Sequence, residues 1–190
     1  MRWLALFLVL AVGCNNAPTP SPNSTKQTPA EAFKAYAAKK LGVTPEQLTG
    51  GRLPETQAAA YTVGRLWPYA FHTSVGGDRE VTGWAMPDGR VVSADENLGL
   101  LFDEARIWGP GPTPIVDHWV LAALVMWSTG DKRMMGSDED NLPGPSLDRQ
   151  RDGSGQLVFT TSPNASGADL VTNTVTLRPN HTATLARVPR

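Results

Sequence analysis

The chain predicts an α+β fold, several helices packed on antiparallel strands in one folded unit, and three features predict it. Apolar residues recur at helical spacing near positions 33–41 and 98–105, and an all-apolar run covers 119–127. Apolar and polar residues alternate over 69–75 and again in the last third of the chain, as in half-buried strands. Short Gly- and Pro-containing turns join the alternating stretches, which makes neighbouring strands antiparallel. Hydrophobic residues make up 41% and charged residues 18%, enough apolar material for a core beneath a lightly charged surface.

The elements follow in chain order. Thr28-Pro29-Ala30-Glu31 is a capping box with proline at the first helical position. Phe33, Tyr36, Ala37 and Leu41 then share one helical face, and Gly42 supplies the stop. Thr44-Pro45-Glu46-Gln47 starts one short turn that Gly50-Gly51 ends. Residues 54–66 carry mixed signals, helix from Ala58-Ala59-Ala60 and breaks at Gly64 and Pro68. A hairpin follows. Tyr69, Phe71, Thr73 and Val75 alternate with Ala70, His72 and Ser74, Gly76-Gly77-Asp78 turns the chain, and 80–86 returns. Pro87-Asp88-Gly89 is a second turn, and 90–93 begins a third strand.

Ser93-Ala94-Asp95-Glu96 reads as another capping box, opening a half-buried helix with Leu98, Leu101, Phe102 and Ala105 on its inner stripe. Gly109-Pro110-Gly111-Pro112 ends it. Thr113-Pro114 starts the most apolar helix; the nine residues from Trp119 to Trp127 are too few to cross a bilayer, so it is expected to be a central core element covered on most sides. Residues 128–156 form a long polar stretch with no clear period, as in functional or disordered loops. Strands are expected at 156–161, 169–177 and 181–188, joined at Ser162-Pro163-Asn164 and Pro179-Asn180.

The first residues have a different character. Met1-Arg2 is a short basic segment, and Trp3 to Val12 is an apolar run too short to span a membrane. It ends in Leu10-Ala11-Val12-Gly13-Cys14. This resembles the lipobox of bacterial lipoproteins, with Ala11 where that family usually has leucine. The resemblance implies cleavage before Cys14, a diacylglyceryl group on its thiol, palmitate in the mature protein, and a place in the cell envelope. Asn15, where an aspartate often retains such proteins at the inner membrane, favours the outer membrane. Residues 15–27 are rich in Asn, Pro, Ser and Thr and suit an extended tether. The expected organisation is therefore 1–13 signal peptide, 14–27 disordered tether and 28–190 globular α+β domain.

Composition narrows the chemistry. Loss of a leader carrying Arg2 leaves 16 basic residues against 18 acidic, with no sign of the basic face that nucleic acid requires. Cys14 is the single cysteine, so the folded part offers no disulfide, thiolate metal site or catalytic thiol. His72, His118 and His181 have no metal-ligand spacing. His118, beside Asp117, is the best candidate base, although adjacent helix residues point apart and a structural histidine is the commoner case. Asp138-Glu139-Asp140-Asn141 has oxygen donors for weak calcium binding, but charge runs are usually solvated surface. Asp148 to Gly153 lacks the twelfth-position glutamate of a calcium loop, since Phe159 stands there. Gly153-Ser154-Gly155 reads as a turn rather than a nucleophile. Asp103 and Glu104, adjacent on a helix, do not converge on one substrate. Trp67, Trp84, Trp108, Trp119 and Trp127 are expected in the core rather than on a glycan-stacking surface. No cofactor or metal is implied.

The helix at 29–41, with the strands around Gly83-Trp84-Ala85-Met86-Pro87-Asp88-Gly89-Arg90-Val91-Val92, resembles the PepSY type of protease-propeptide and inhibitory module over residues 29–94. Three functional readings remain, in order. The first is a non-catalytic, membrane-anchored domain that binds an envelope protein or glycan. The second is an envelope hydrolase working through His72 or His118. The third is a small-ligand binder with a pocket between the apolar helix and the sheet.

Overall fold

The computed structural model describes residues 27–54, 70–104, 115–137 and 140–190. They form two antiparallel sheets and three helices, a mixed α+β arrangement. The cleavage site, Cys14 and the tether to Lys26 lie outside the described residues, as do the 55–69 segment, Ala105 and the Gly-Pro turn at 109–112.

Helix α1 (Pro29–Leu41) begins as its sequence dictates. The Thr28 hydroxyl accepts the Glu31 N–H, and the Glu31 carboxylate accepts the Thr28 N–H at 2.8 Å, which satisfies two orphan donors of the first turn. Gly42 closes the helix at φ 67°, where a side chain would be strained. A 3-10 turn over Pro45–Gln47 follows. The chain then departs from expectation. Gly50 and Gly51 do not merely end that turn but sit in strand β1 (Thr49–Arg52), paired with β2 (Ala70–Val75). A Cβ on Gly50 would lie 2.5 Å from the His72 carbonyl oxygen, so glycine is what lets the two backbones approach.

Strands β1, β2, β3 (Arg79–Ala85) and β4 (Val91–Val92) form the first sheet in that order. Its centre is buried on both faces, while β1 at its edge is largely exposed. Phe71, Val81, Ala85 and Val91 pack against Phe33, Tyr36 and Ala37 of α1. Ala70, Trp84 and Val92 join a second, larger core. Period-two alternation in β2 therefore separates two cores rather than core from solvent.

The second core holds Leu98, Leu101 and Phe102, from helix α2 (Gly99–Glu104) and the residue before it, and Leu121, Ala122, Leu124 and Val125 of helix α3 (Ile115–Thr129). One sequence expectation is corrected here, and a second is not shown in full. Ser93 does not cap α2. Its hydroxyl accepts the Glu96 N–H at 3.1 Å while its own N–H donates to the Glu96 carbonyl, closing a turn before the left-handed Asn97 (φ 52°). Coverage of α3 on most sides is not what the side chains show. Val120 is 42% exposed, and Trp119, Ala123, Met126 and Trp127 are half-buried. Of the five tryptophans, Trp84 is fully buried with its ring 4.9 Å from that of Trp127. Trp67 and Trp108 lie outside the described residues.

The second sheet contains β5 (Arg133–Met134), β6 (Ser146–Arg149), β7 (Gly155–Ser162), β8 (Val171–Leu177) and β9 (Ala183–Pro189). Strand β8 takes one edge of β7 along nearly its whole length, and β5 and β6 share the other. The polar stretch at 128–156 is thus not one long loop. It supplies two short edge strands, invisible to periodicity because neither is long enough to show one. Leu157, Phe159, Val175 and Leu177 turn one face of this sheet into the core that α3 and the first sheet also enter. Among the described residues no helix is long and apolar enough to cross a membrane.

Candidate functional site

Two polar clusters flank a cleft between α1, the turn after β4, and β9. The first is built on Asp95. Its Oδ1 accepts from the Tyr36 hydroxyl at 2.7 Å, the Ser93 hydroxyl at 2.8 Å and the Lys40 ammonium at 3.0 Å. Tyr36 and Lys40 lie one helical turn apart on α1, which brings both to the same carboxylate. The phenol also lies 2.7 Å from the Ser93 oxygen. Burial works to raise Asp95, but the bonds from Tyr36, Lys40 and Ser93 outweigh it and hold the carboxyl below its ordinary range. Burial, together with donation to that carboxylate, pushes the Tyr36 phenol above its own. At neutral pH the pair is a fixed carboxylate and a protonated phenol, a poor acid–base couple. The Ser93 oxygen already accepts the N–H groups of Asp95 and Glu96, which leaves it little character as a nucleophile.

The second cluster closes the inner face of the second sheet. The Arg187 Nη2 atom lies 2.6 Å from both carboxylate oxygens of Asp131, and its Nε donates to the Asn173 amide oxygen at 3.2 Å. Asn173 donates to the Thr161 hydroxyl at 2.7 Å, and Thr161 donates back to Asp131 at 2.5 Å. Asn173, Thr161 and Arg187 share the face that carries Phe159 and Val175, because β-strand side chains repeat every two residues. The core thus ends in a closed ring of hydrogen bonds.

Between the clusters runs a cleft of about 320 Å³ lined by Lys40, Ala94, Asp95, Thr129, Leu185 and Arg187. A second cleft, of about 280 Å³, shares Ala94, Asp95 and Leu185 with it and is lined further by Asn97, Leu98 and Ala183. Together they make a groove along β9, with residues 94–98 as the opposite wall. Helix α2 sits tight against the turn that leads into β9: a Cβ on Gly99 would overlap the His181 carbonyl.

The residues singled out from the sequence lie elsewhere. Cys14 is outside the described residues. His72 lies on β2, its Nε2 3.8 Å from a Glu80 carboxylate that also meets Lys132. His118 is half-buried on α3, and His181 is exposed with its Nδ1 2.9 Å from Asp103. The three histidines stand on separate elements and are not brought together. Among the described residues no group of three or more His, Cys, Asp or Glu can hold a metal ion.

Within the acidic run 138–141, Asp138 and Glu139 lie outside the described residues. Asp140 is a staple: it accepts from the Gly136 and Ser137 N–H groups and pairs with Arg133 at 2.8 Å. Asp152 accepts from the Ser154 N–H and hydroxyl in the β6–β7 turn, as a hairpin residue would.

Sequence reasoning missed Tyr36, Lys40, Asp131, Asn173 and Arg187 as a group. The Tyr36–Lys40 spacing was the one local signal; Asp131 and Arg187 are far apart in sequence, and nothing in either neighbourhood points to the other. Comparison with known protein families, with curated proteins and with solved structures found no match.

Proposed function

We propose that the chain is a membrane-anchored lipoprotein whose folded part is a non-catalytic domain that binds another component of the cell envelope. The anchor rests on the basic, apolar and small-residue segments that end at Cys14. Each buried methylene of its lipid would contribute about 0.8 kcal/mol of membrane affinity.

The observation that carries the binding reading is the state of the polar groups around the groove. Tyr36, Ser93, Asp95, Asp131 and Arg187 hold one another in short hydrogen bonds, so they stiffen the walls of a recognition surface rather than wait for a proton. On this reading α3 is the pillar of the domain; the support is that Leu121, Ala122, Leu124 and Val125 are buried in the core that takes residues from both sheets. The packing of α1 on β2 and β3 supports a PepSY-like organisation of residues 29–94.

Two experiments test the reading. Full-length protein, solubilised from the envelope in detergent, is used as bait. Specific recovery of an envelope protein or glycan supports the binding role, and recovery of none overturns it. Cys14→Ser should abolish metabolic labelling by palmitate, and unchanged labelling ends the lipoprotein reading.

A further inference from the structure

Arg187 and Asp95 both line the cleft of about 320 Å³, and each is fixed by bonds that use only part of its charged group. Arg187 spends one side of its guanidinium. Nε donates to the Asn173 amide oxygen, and Nη2 meets both Asp131 oxygens. Nη1, with two N–H donors, has no partner among the described residues. A guanidinium is planar and rigid, so fixing Nε and Nη2 also fixes the direction of Nη1, away from the Asp131 carboxylate.

Asp95 is used just as unevenly. Its Oδ1 accepts from Tyr36, Lys40 and Ser93, while Oδ2 accepts no bond among the described residues. The Asp95 side chain is 54% exposed, so the unspent oxygen is open to a ligand. Leu185 and Ala94 line the same cleft and give it an apolar surface.

We infer that this cleft binds a zwitterionic amino acid, its carboxylate taken by Nη1 of Arg187, its ammonium by Oδ2 of Asp95, and its apolar side chain by Leu185 and Ala94. The inference rests on the binding role proposed above and names the chemistry of what is bound. Three features select this class. The charges beside the cleft cancel in pairs, Lys40 with Asp95 and Arg187 with Asp131, which suits a ligand with both signs and no net charge, and neither a polyanion nor an anionic membrane surface. A neutral stretch of main chain or an apolar protein surface would take water from a carboxylate and a guanidinium without returning a charge to either. The volume lies at the small end of the range for small-molecule pockets. Both charged groups are already held in place, so binding costs little side-chain freedom.

The test is an NMR titration of the full-length protein, in non-ionic detergent micelles, with L-leucine. The Arg187 Nε–H signal and the Asp95 carboxyl carbon should shift together and saturate, with a dissociation constant below about 10 mM. Leucinamide, which lacks the carboxylate, and 4-methylpentanoate, which lacks the ammonium, should each bind at least about tenfold more weakly. Asp95→Asn should weaken leucine by about tenfold and leave 4-methylpentanoate unchanged or tighter, a reversal that loss of structure would not produce. If that variant fails to fold, the two truncated ligands still decide the matter.

Absence of a saturable shift with leucine would overturn the inference, as would a folded Asp95→Asn protein that binds leucine unchanged. Leucinamide or 4-methylpentanoate binding as well as leucine would also overturn it, since one charge would then suffice. Tighter binding of O-phosphoethanolamine would replace the amino acid by a zwitterionic lipid headgroup. Movement of the same signals on dilution of the free protein would replace it by a second copy. The envelope capture experiment decides the wider binding role separately.

Discussion

Arg187, three residues from the end of the chain, lays its Nη2 atom 2.6 Å from both carboxylate oxygens of Asp131, just beyond the end of α3. The Asp131 side chain is 3% exposed and that of Arg187 36%. One contact thus ties the outermost strand to the helix whose residues enter the core of both sheets, and it forms one wall of the groove.

Arg187→Ala should destabilise the fold by about 3 kcal/mol, because it leaves a buried carboxylate without its counter-charge. Replacing both members, Asp131→Asn with Arg187→Met, should cost less than Arg187→Ala alone, since no buried charge is then stranded. Urea denaturation of the three proteins checks the order. A double variant less stable than the single one would mean that the pair does not act through charge compensation.

Asp95 should titrate below an ordinary aspartate, and Tyr36→Phe should move it back up, since the phenol is the first of the hydrogen bonds that oppose burial there. The sign for stability follows. A carboxyl whose folded value is depressed contributes stability above its unfolded value near 3.8, and that contribution is lost as pH falls through the folded value. Carbon-detected NMR titration of the Asp95 carboxyl in both proteins measures it. No upward movement in Tyr36→Phe would remove the phenol from the account.

Gly99→Ala should cost about 1–3 kcal/mol, since the new methyl would meet the His181 carbonyl with no space between helix and turn. Its second signature is local. The pairing of His181 with Asp103, now 2.9 Å, should be disturbed, which the NMR chemical shifts of the His181 ring would register. Wild-type stability in Gly99→Ala would contradict the tight packing of α2 against the β8–β9 turn.

Leu124→Ala should cost about 2–5 kcal/mol, because Leu124 is almost wholly buried in the larger core. Val120→Ala, one turn earlier on the same helix but exposed, should change stability by less than about 0.5 kcal/mol. Thermal or urea unfolding compares them. Equal losses would mean that α3 is covered more evenly than its side chains indicate.

Much of the local structure was legible in the residues themselves. Thr28 and Glu31 bracket a helix start, Gly42 its stop, and the C-terminal strands fall within two residues of their expected bounds. These signals are read by hydrogen bonds between near neighbours, so they survive in any context. The Ser93-x-x-Glu96 pattern shows the limit: the same side chain-to-backbone bond that caps a helix here closes a turn, because Asn97 goes left-handed before α2 begins.

What the sequence by itself determined is the set of pieces: an α+β mixture, the capped first helix, the hairpins and the apolar run of α3. Tertiary structure decided which pieces meet. It made a strand of the glycine pair at 50–51, seated two short strands from the polar 128–149 stretch along β7, left one side of α3 partly exposed, and closed Asp131, Thr161, Asn173 and Arg187 into one ring. The reason is that each of these depends on a partner in another element, in places dozens of residues away, as Arg187 is from Asp131. A pattern of neighbours encodes backbone preference and amphipathic phase, while the meeting of distant groups is settled by how the layers bury their apolar faces and which polar atoms are then left to satisfy one another.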